Sequence, residues 1–204
     1  MTGTKDTAIV VAGDELVAGH GDGRGLGWTG RVAARTLPAL PTARFYPLGV
    51  PAEDSAAFAK RALAEAGLRF TPESENRLVL APGSHDIASG LSTARSRLNL
   101  ANVLDAALAA EVATFVVGPT PALRAEDNRR IGELSQGYAD VALRRGVPFV
   151  DAFTPLDGHP VWQRELAASA AGLPSQEGYG LIAWLVLNRG WFDWLGVEDA
   201  LARA

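Results

Sequence analysis

The stretch "TAIVVAGDELVAGHGDG", residues 7–23, decides how the rest of the chain is read. Small and β-branched side chains from Thr7 to Ala12 run straight into Gly13-Asp14-Glu15. A short, almost wholly apolar run that stops at a Gly-Asp pair suits a strand buried on both faces and ending in a tight turn. Loop positions of this kind, held by a rigid scaffold, often display reactive side chains, and here the displayed group is the carboxylate of Glu15.

Four further runs of the same character follow, at residues 43–46, 77–80, 114–117 and 148–150. Helical patterns separate them near residues 28–37, 54–66, 92–110 and 127–145, with two more near 161–168 and 176–188. Short apolar strands alternating with longer helices predict an α/β fold: a three-layer αβα sandwich around a five-stranded parallel sheet. No repeat, low-complexity tract or long linker interrupts residues 1–204, so one domain is expected. In such folds the ligand crevice lies beyond the carboxyl ends of the strands. The residues there are Gly13-Asp14-Glu15, Leu48-Gly49, the segment from Ala81 to Asp86, Gly118-Pro119-Thr120 and Asp151-Ala152-Phe153.

Composition removes several function classes. A formal net charge of −4, a pI near 5.4 and the absence of any Lys/Arg run argue against nucleic-acid binding. With no cysteine, disulfides, thiolate metal sites and a cysteine nucleophile are excluded. The longest apolar stretches, such as Leu181 to Leu187, are too short to span a bilayer, and no apolar signal segment precedes the first strand. A cytoplasmic protein without membrane contact is the expectation. The alternating glycines at 21, 23, 25 and 27 lack the spacing and the lysine of a phosphate loop.

The strand ends together resemble the SGNH/GDSL hydrolases, a family of esterases, lipases and acyl hydrolases with a flavodoxin-like architecture. The resemblance runs from Thr7 to about Trp194. Its first block, Gly-Asp-Ser-Leu, corresponds to Gly13-Asp14-Glu15-Leu16, with Gly19 and Gly27-Trp28 after it. Its second, a glycine whose N–H helps to bind an oxyanion, corresponds to Gly49, and its third, Gly-x-Asn-Asp, to Gly83-Ser84-His85-Asp86. The last block, Asp-Gly-x-His-Pro followed by Gly-Tyr, corresponds to Ala170 through Tyr179, in register on Pro174 and Gly178-Tyr179. The resemblance therefore places the family's Ser on Glu15, its Asn on His85, its Asp on Ala170 and its His on Leu173.

A serine hydrolase needs a hydroxyl nucleophile, a base in reach of it and a group that orients the base. Leu173 accepts no proton, Ala170 orients nothing, and a carboxylate at position 15 sets negative charge where an oxyanion must form. Two substituted positions, however, carry Glu and His, both suited to acid/base work. Glu15 and His85 are the candidate catalytic pair, expected within reach of each other on neighbouring strand ends. Asp14, Gly49, Asp86, His20 and Leu173 are the candidate ligand-binding residues, with Leu173 an apolar wall expected to raise the pKa of Glu15.

Each of these residues also has a plainer reading. Asp14 and Asp86 suit loop-holding hydrogen bonds to nearby backbone. His85 suits a space-filling replacement for Asn, and His20 an exposed loop histidine. Asp157-Gly158-His159-Pro160 reads as an ordinary turn or as a displaced copy of the missing Asp/His block. Trp191, Phe192 and Trp194 suit a cap packed on the sheet or a self-association surface of a homodimer. A metal on Glu15, His85 and a neighbour is compatible with the residue types, but nothing in the spacing demands one; no metal and no cofactor is expected. Three functions stay open for a small-molecule ligand: a non-hydrolytic acid/base enzyme (isomerisation, cyclisation or elimination), a pseudo-hydrolase that binds a metabolite or has a regulatory role, and a hydrolase in which Glu15 positions water.

Overall fold

The computed structural model describes residues 6–202. Five parallel strands form one sheet: β1 (Thr7–Gly13), β2 (Ala43–Gly49), β3 (Glu75–Ala81), β4 (Ala113–Val117) and β5 (Phe149–Val150). Their order is β2-β1-β3-β4-β5. Helices α1 (Gly27–Thr36), α2 (Ser55–Gly67), α3 (Thr93–Ala109), α4 (Ala125–Leu143), α5 (Pro160–Ala168) and α6 (Gln176–Val186) connect or follow the strands. The α/β reading holds, and the strand ends differ from it for local reasons. Strand β2 runs on through Pro47 because it lies at the sheet edge, where a missing N–H is tolerated.

Alternation along β1 explains why both faces are covered. Ile9 and Val11 point to one side with Val79, Phe115, Trp28, Trp162 and Ile182; Val10 and Ala12 point to the other with Leu80, Phe58, Leu100 and Tyr138. Both sets are buried, so a strand with apolar residues on both faces is the only one that fits. Helix α6 passes into a widened turn (Leu187–Trp191) and breaks at Gly190, whose φ is 88°, before the short helix α7 (Phe192–Leu195). The aromatic residues there cap the sheet: Trp191 meets Phe115 edge-on at 5.5 Å and donates from Nε1 to Thr36 Oγ1 at 2.9 Å. Among the described residues no helix is long and apolar enough to cross a membrane.

The chain leaves β1 for β2 and then returns across it to β3, so the order reverses between β1 and β3. A crevice opens at such a switch point, outside the carboxyl ends of the two strands. Asp14-Glu15 follows β1, and the segment from Pro82 to Asp86 follows β3.

Candidate active site

Gly13 ends β1 where a β-carbon would press on Ala81 O and Val17 Cγ2 at 2.5 and 2.6 Å, so the strand tip admits only glycine. The turn that follows is closed by Val17 N–H to Asp14 O at 3.1 Å and by Leu16 N–H to Asp14 Oδ1 at 3.0 Å. This leaves Glu15 pointing into the crevice. There His85 Nε2 lies 2.9 Å from Glu15 Oε1 and 3.0 Å from Oε2, with Asp14 Oδ2 at 3.7 Å. Glu15 and His85 thus meet, as their strand-end positions required.

The backbone N–H on Glu15 comes from a residue the sequence does not flag. Ala52 N donates to Glu15 Oε2 at 2.9 Å, from a backbone with φ of 57°, a conformation that non-glycine residues rarely adopt. Gly49 does not fill the place read for it. It lies outside the cleft, where a β-carbon would meet Asp14 O at 2.6 Å and Ala18 N at 2.7 Å; its requirement is close packing.

The environments of the two neighbouring carboxyls differ in sign. Burial, reinforced by the charge of Glu15, pushes Asp14 up to about 7, against the Leu16 N–H and His85, which favour the anion. Burial also works upward on Glu15. The His85 hydrogen bond, the Ala52 N–H, its own N–H and the His85 charge outweigh it, and the pKa falls to about 2. The expectation that an apolar wall would raise Glu15 is therefore corrected: convergent donors override desolvation. His85 is raised, chiefly by its hydrogen bond to Glu15 and against its own burial, with the charges of Glu15, Asp14 and Asp86 adding to the rise.

The trio forms the floor of a cleft of about 380 Å³. Its walls include Leu16, Trp28, Val117, Trp162, Leu173 and Ile182. Leu173 is an apolar wall as read, and Asp14 lines the floor while also holding its own turn. Asp86 does not line the cleft. It is buried, accepting from Ser55 N at 2.6 Å and Tyr138 OH at 3.3 Å, and ties the β3 loop to α2 and α4. His20 is exposed and outside the cleft, and its backbone is what is used: its N–H donates to Glu15 O at 3.1 Å and its carbonyl accepts from Tyr179 OH at 2.6 Å. Asp157 accepts from Asn128 Nδ2 and His159 precedes α5, so that motif is a turn rather than a second Asp/His block. Asp22, bonded to Arg31, Gly27 N and Arg24 N, gives the glycine-rich loop a structural role.

Asp14, Glu15 and His85 each offer one ligand atom, all within 4.8 Å of one another, so this trio could hold a metal ion. Ser84 and Thr120 also line the cleft, but neither hydroxyl is hydrogen-bonded to a base among the described residues. Sequence reading missed Ala52 and also Glu165. The Glu165 carboxylate accepts from Ser175 N and Oγ, Glu177 N and Gly178 N at 2.6–3.1 Å and so fixes the loop carrying Leu173. Neither leaves a cap-like mark in the sequence: Ala52 acts through its backbone, and Glu165 lies inside α5, a full loop away from the start of α6.

The family model for GDSL-like lipases and acylhydrolases matches residues 11–181. No curated protein matches the chain by sequence. Among solved structures, a lipase/acylhydrolase from Enterococcus faecalis is 21% identical, with 96% of this chain and 100% of that chain covered at a TM-score of 0.73. TesA is 20% identical over 90% of this chain and 98% of its own, at a TM-score of 0.74. An acetylxylan esterase, Axe2 of Geobacillus stearothermophilus, is 13% identical over 95% and 98%, at 0.72. At these identities the likeness is one of fold.

Proposed function

The chain belongs to the GDSL-like lipase/acylhydrolase family, and from that membership and its substituted site we propose a proton-transfer enzyme that acts on a small molecule without hydrolysing it. The observation that carries this reading is His85 Nε2 bonded to both Glu15 oxygens, beside the buried carboxyl of Asp14, at the floor of one cleft. Glu15, low at about 2, is the standing anion that keeps His85 protonated rather than the group that gives and takes protons. Asp14, near 7, has the affinity that general acid/base catalysis favours at neutral pH. The imidazolium supplies a fixed positive charge for negative charge developing on the substrate. Isomerisation, cyclisation and elimination all need only these parts. Ester hydrolysis by the family route needs a nucleophile and a base, and positions 15 and 173 supply neither.

The reading is tested by incubating the protein with pooled polar metabolites in water enriched in deuterium and, separately, in ¹⁸O, with mass spectrometry as the readout. Enzyme-dependent conversion or C–H deuteration without ¹⁸O uptake, lost in Asp14→Asn and His85→Gln, is the expected result. Uptake of ¹⁸O into product would turn the assignment back to hydrolysis, and saturable binding with no conversion would make the cleft a receptor site.

A further inference from the structure

The charge balance of the cleft selects its ligand. Two cationic side chains line it, and both are engaged: His85 with Glu15, and Arg124 with Glu126 and with Asp127 Oδ2, the latter at 3.5 Å. Arg124 is a mostly exposed residue at the rim, so the one cation at the floor is His85, which Glu15 already holds, and the floor offers an anionic ligand no unpaired cation. Asp14 offers the converse. Its side chain is 6% exposed, and Oδ1 is taken by Leu16 N–H. Oδ2 accepts no hydrogen bond from any described residue and faces the cleft floor, against Gly83, where a β-carbon would collide with it. With His85 Nε2 at 3.7 Å, beyond hydrogen-bond reach, Oδ2 keeps an acceptor position open to a donor arriving through the cleft. The walls above it are apolar and aromatic, with Trp28, Trp162 and Leu173 among them.

We propose that the cleft takes a small apolar molecule bearing one protonated amine, the ammonium donating to Asp14 Oδ2 and the hydrocarbon part lying against Trp28, Trp162 and Leu173. The inference rests on the reading of this cleft as the working site, and it names the substrate class of that site. An ammonium supplies the N–H donor that Oδ2 lacks and offsets the two adjacent carboxylates, of which His85 neutralises one. An alcohol of the same shape supplies a weaker donor, and a carboxylate meets Asp14 as a like charge.

Three probes of similar shape and different charge decide it: benzylamine, benzyl alcohol and benzoate, titrated into the full-length protein with a chelator present and followed by calorimetry or ligand-observed NMR. Benzylamine should bind saturably and at least about tenfold tighter than benzyl alcohol, as a charge-assisted hydrogen bond implies. Benzoate should not bind. Asp14→Asn should remove the preference for the amine, and Leu173→Trp, which fills the cleft, should remove binding of benzylamine altogether. Equal or tighter binding of benzoate, or an unchanged amine preference in Asp14→Asn, would overturn the proposal. Should Asp14→Asn fail to fold, the wild-type series and Leu173→Trp decide alone. Amine binding with no proton exchange on any compound leaves this inference standing and sinks the acid/base reading; exchange on neutral compounds alone, with no amine preference, does the reverse.

Discussion

Asp14 and Glu15 are adjacent in sequence, and the chain moves their pKa values in opposite directions. Depth and donors both separate them: Asp14 is the more deeply buried and its Oδ2 collects no donor, whereas Glu15 collects His85 Nε2 and the Ala52 N–H. Removing the Glu15 charge should therefore act first on the histidine. In Glu15→Gln the His85 imidazole loses its main support, and its pKa should drop towards or below the ordinary value near 6.5, read from the ring-carbon chemical shifts in an NMR titration. A titration curve unmoved by that change would show that Glu15 does not hold His85 protonated. Asp14 gives a stability signature with a definite sign. Its folded pKa of about 7 lies above the ordinary value of 3.8, so the ionised form is penalised in the folded state. Its effect on stability is absent at low pH, and it costs increasing stability as pH rises from about 4 to about 7. Asp14→Asn should consequently stabilise the protein at about pH 8 relative to pH 4, by on the order of a few kcal/mol in urea unfolding without ligand. An equal difference at both pH values would remove the burial argument. That Glu15 and His85 would meet was legible from two strand ends. The direction of the Glu15 shift was not, because it depends on His85 bonding to both carboxylate oxygens and on a second donor, Ala52, that is backbone with an unusual φ.

The elements that carry these residues depend on fixings that side-chain patterns reveal unevenly. Helix α6 begins where the carboxylate of Glu165, reaching from α5, gathers the N–H groups of Ser175, Glu177 and Gly178. These donors have no partner inside the helix, so the carboxylate both caps it and sets the loop with Leu173 beside the cleft. Glu165→Ala leaves those donors and Ser175 Oγ without their partner and should cost about 1–3 kcal/mol in chemical denaturation. Glu165→Gln, which keeps an acceptor, should cost less. Equal losses in the two variants would mean that charge, not acceptance, matters there. The strands were legible because every position of a two-faced strand is apolar, which residues 7–12 meet almost without exception. The widened turn after α6 was not legible as a break: the run from Leu181 to Leu187 reads as continuous helix, and only Gly190 marks the stop.

At the scale of the whole molecule, the strand order β2-β1-β3-β4-β5 is what turns four separate motifs into one cleft. Alternating strands and helices predict a parallel sheet but not its order; that came from the resemblance, through glycines and the Pro174 and Gly178-Tyr179 anchors rather than through any surviving catalytic side chain. The proposed function has scaffold and chemistry part, and that separation is testable. As it stands the protein should hydrolyse p-nitrophenyl acetate no faster than buffer. The variant Glu15→Ser, His85→Asn, Ala170→Asp, Leu173→His reinstates nucleophile, oxyanion donor, orienter and base on the same backbone. Single reversions should do almost nothing, since members of such a unit contribute only together. The backbone has two departures that bear on the yield. Leu173 lines the cleft with Glu15, so a histidine there starts on the correct side. Ala170, however, is exposed and outside the lining, and Ala52 rather than Gly49 aims its N–H at position 15. A displacement of about 1 Å costs on the order of a hundredfold, so the quadruple variant should be a weak esterase rather than a good one. Its activity should vanish when position 15 carries alanine. A folded quadruple variant with no activity at all would mean that the exposed loop at position 170 cannot bring its carboxylate to the imidazole, and that the crevice diverged along with its side chains.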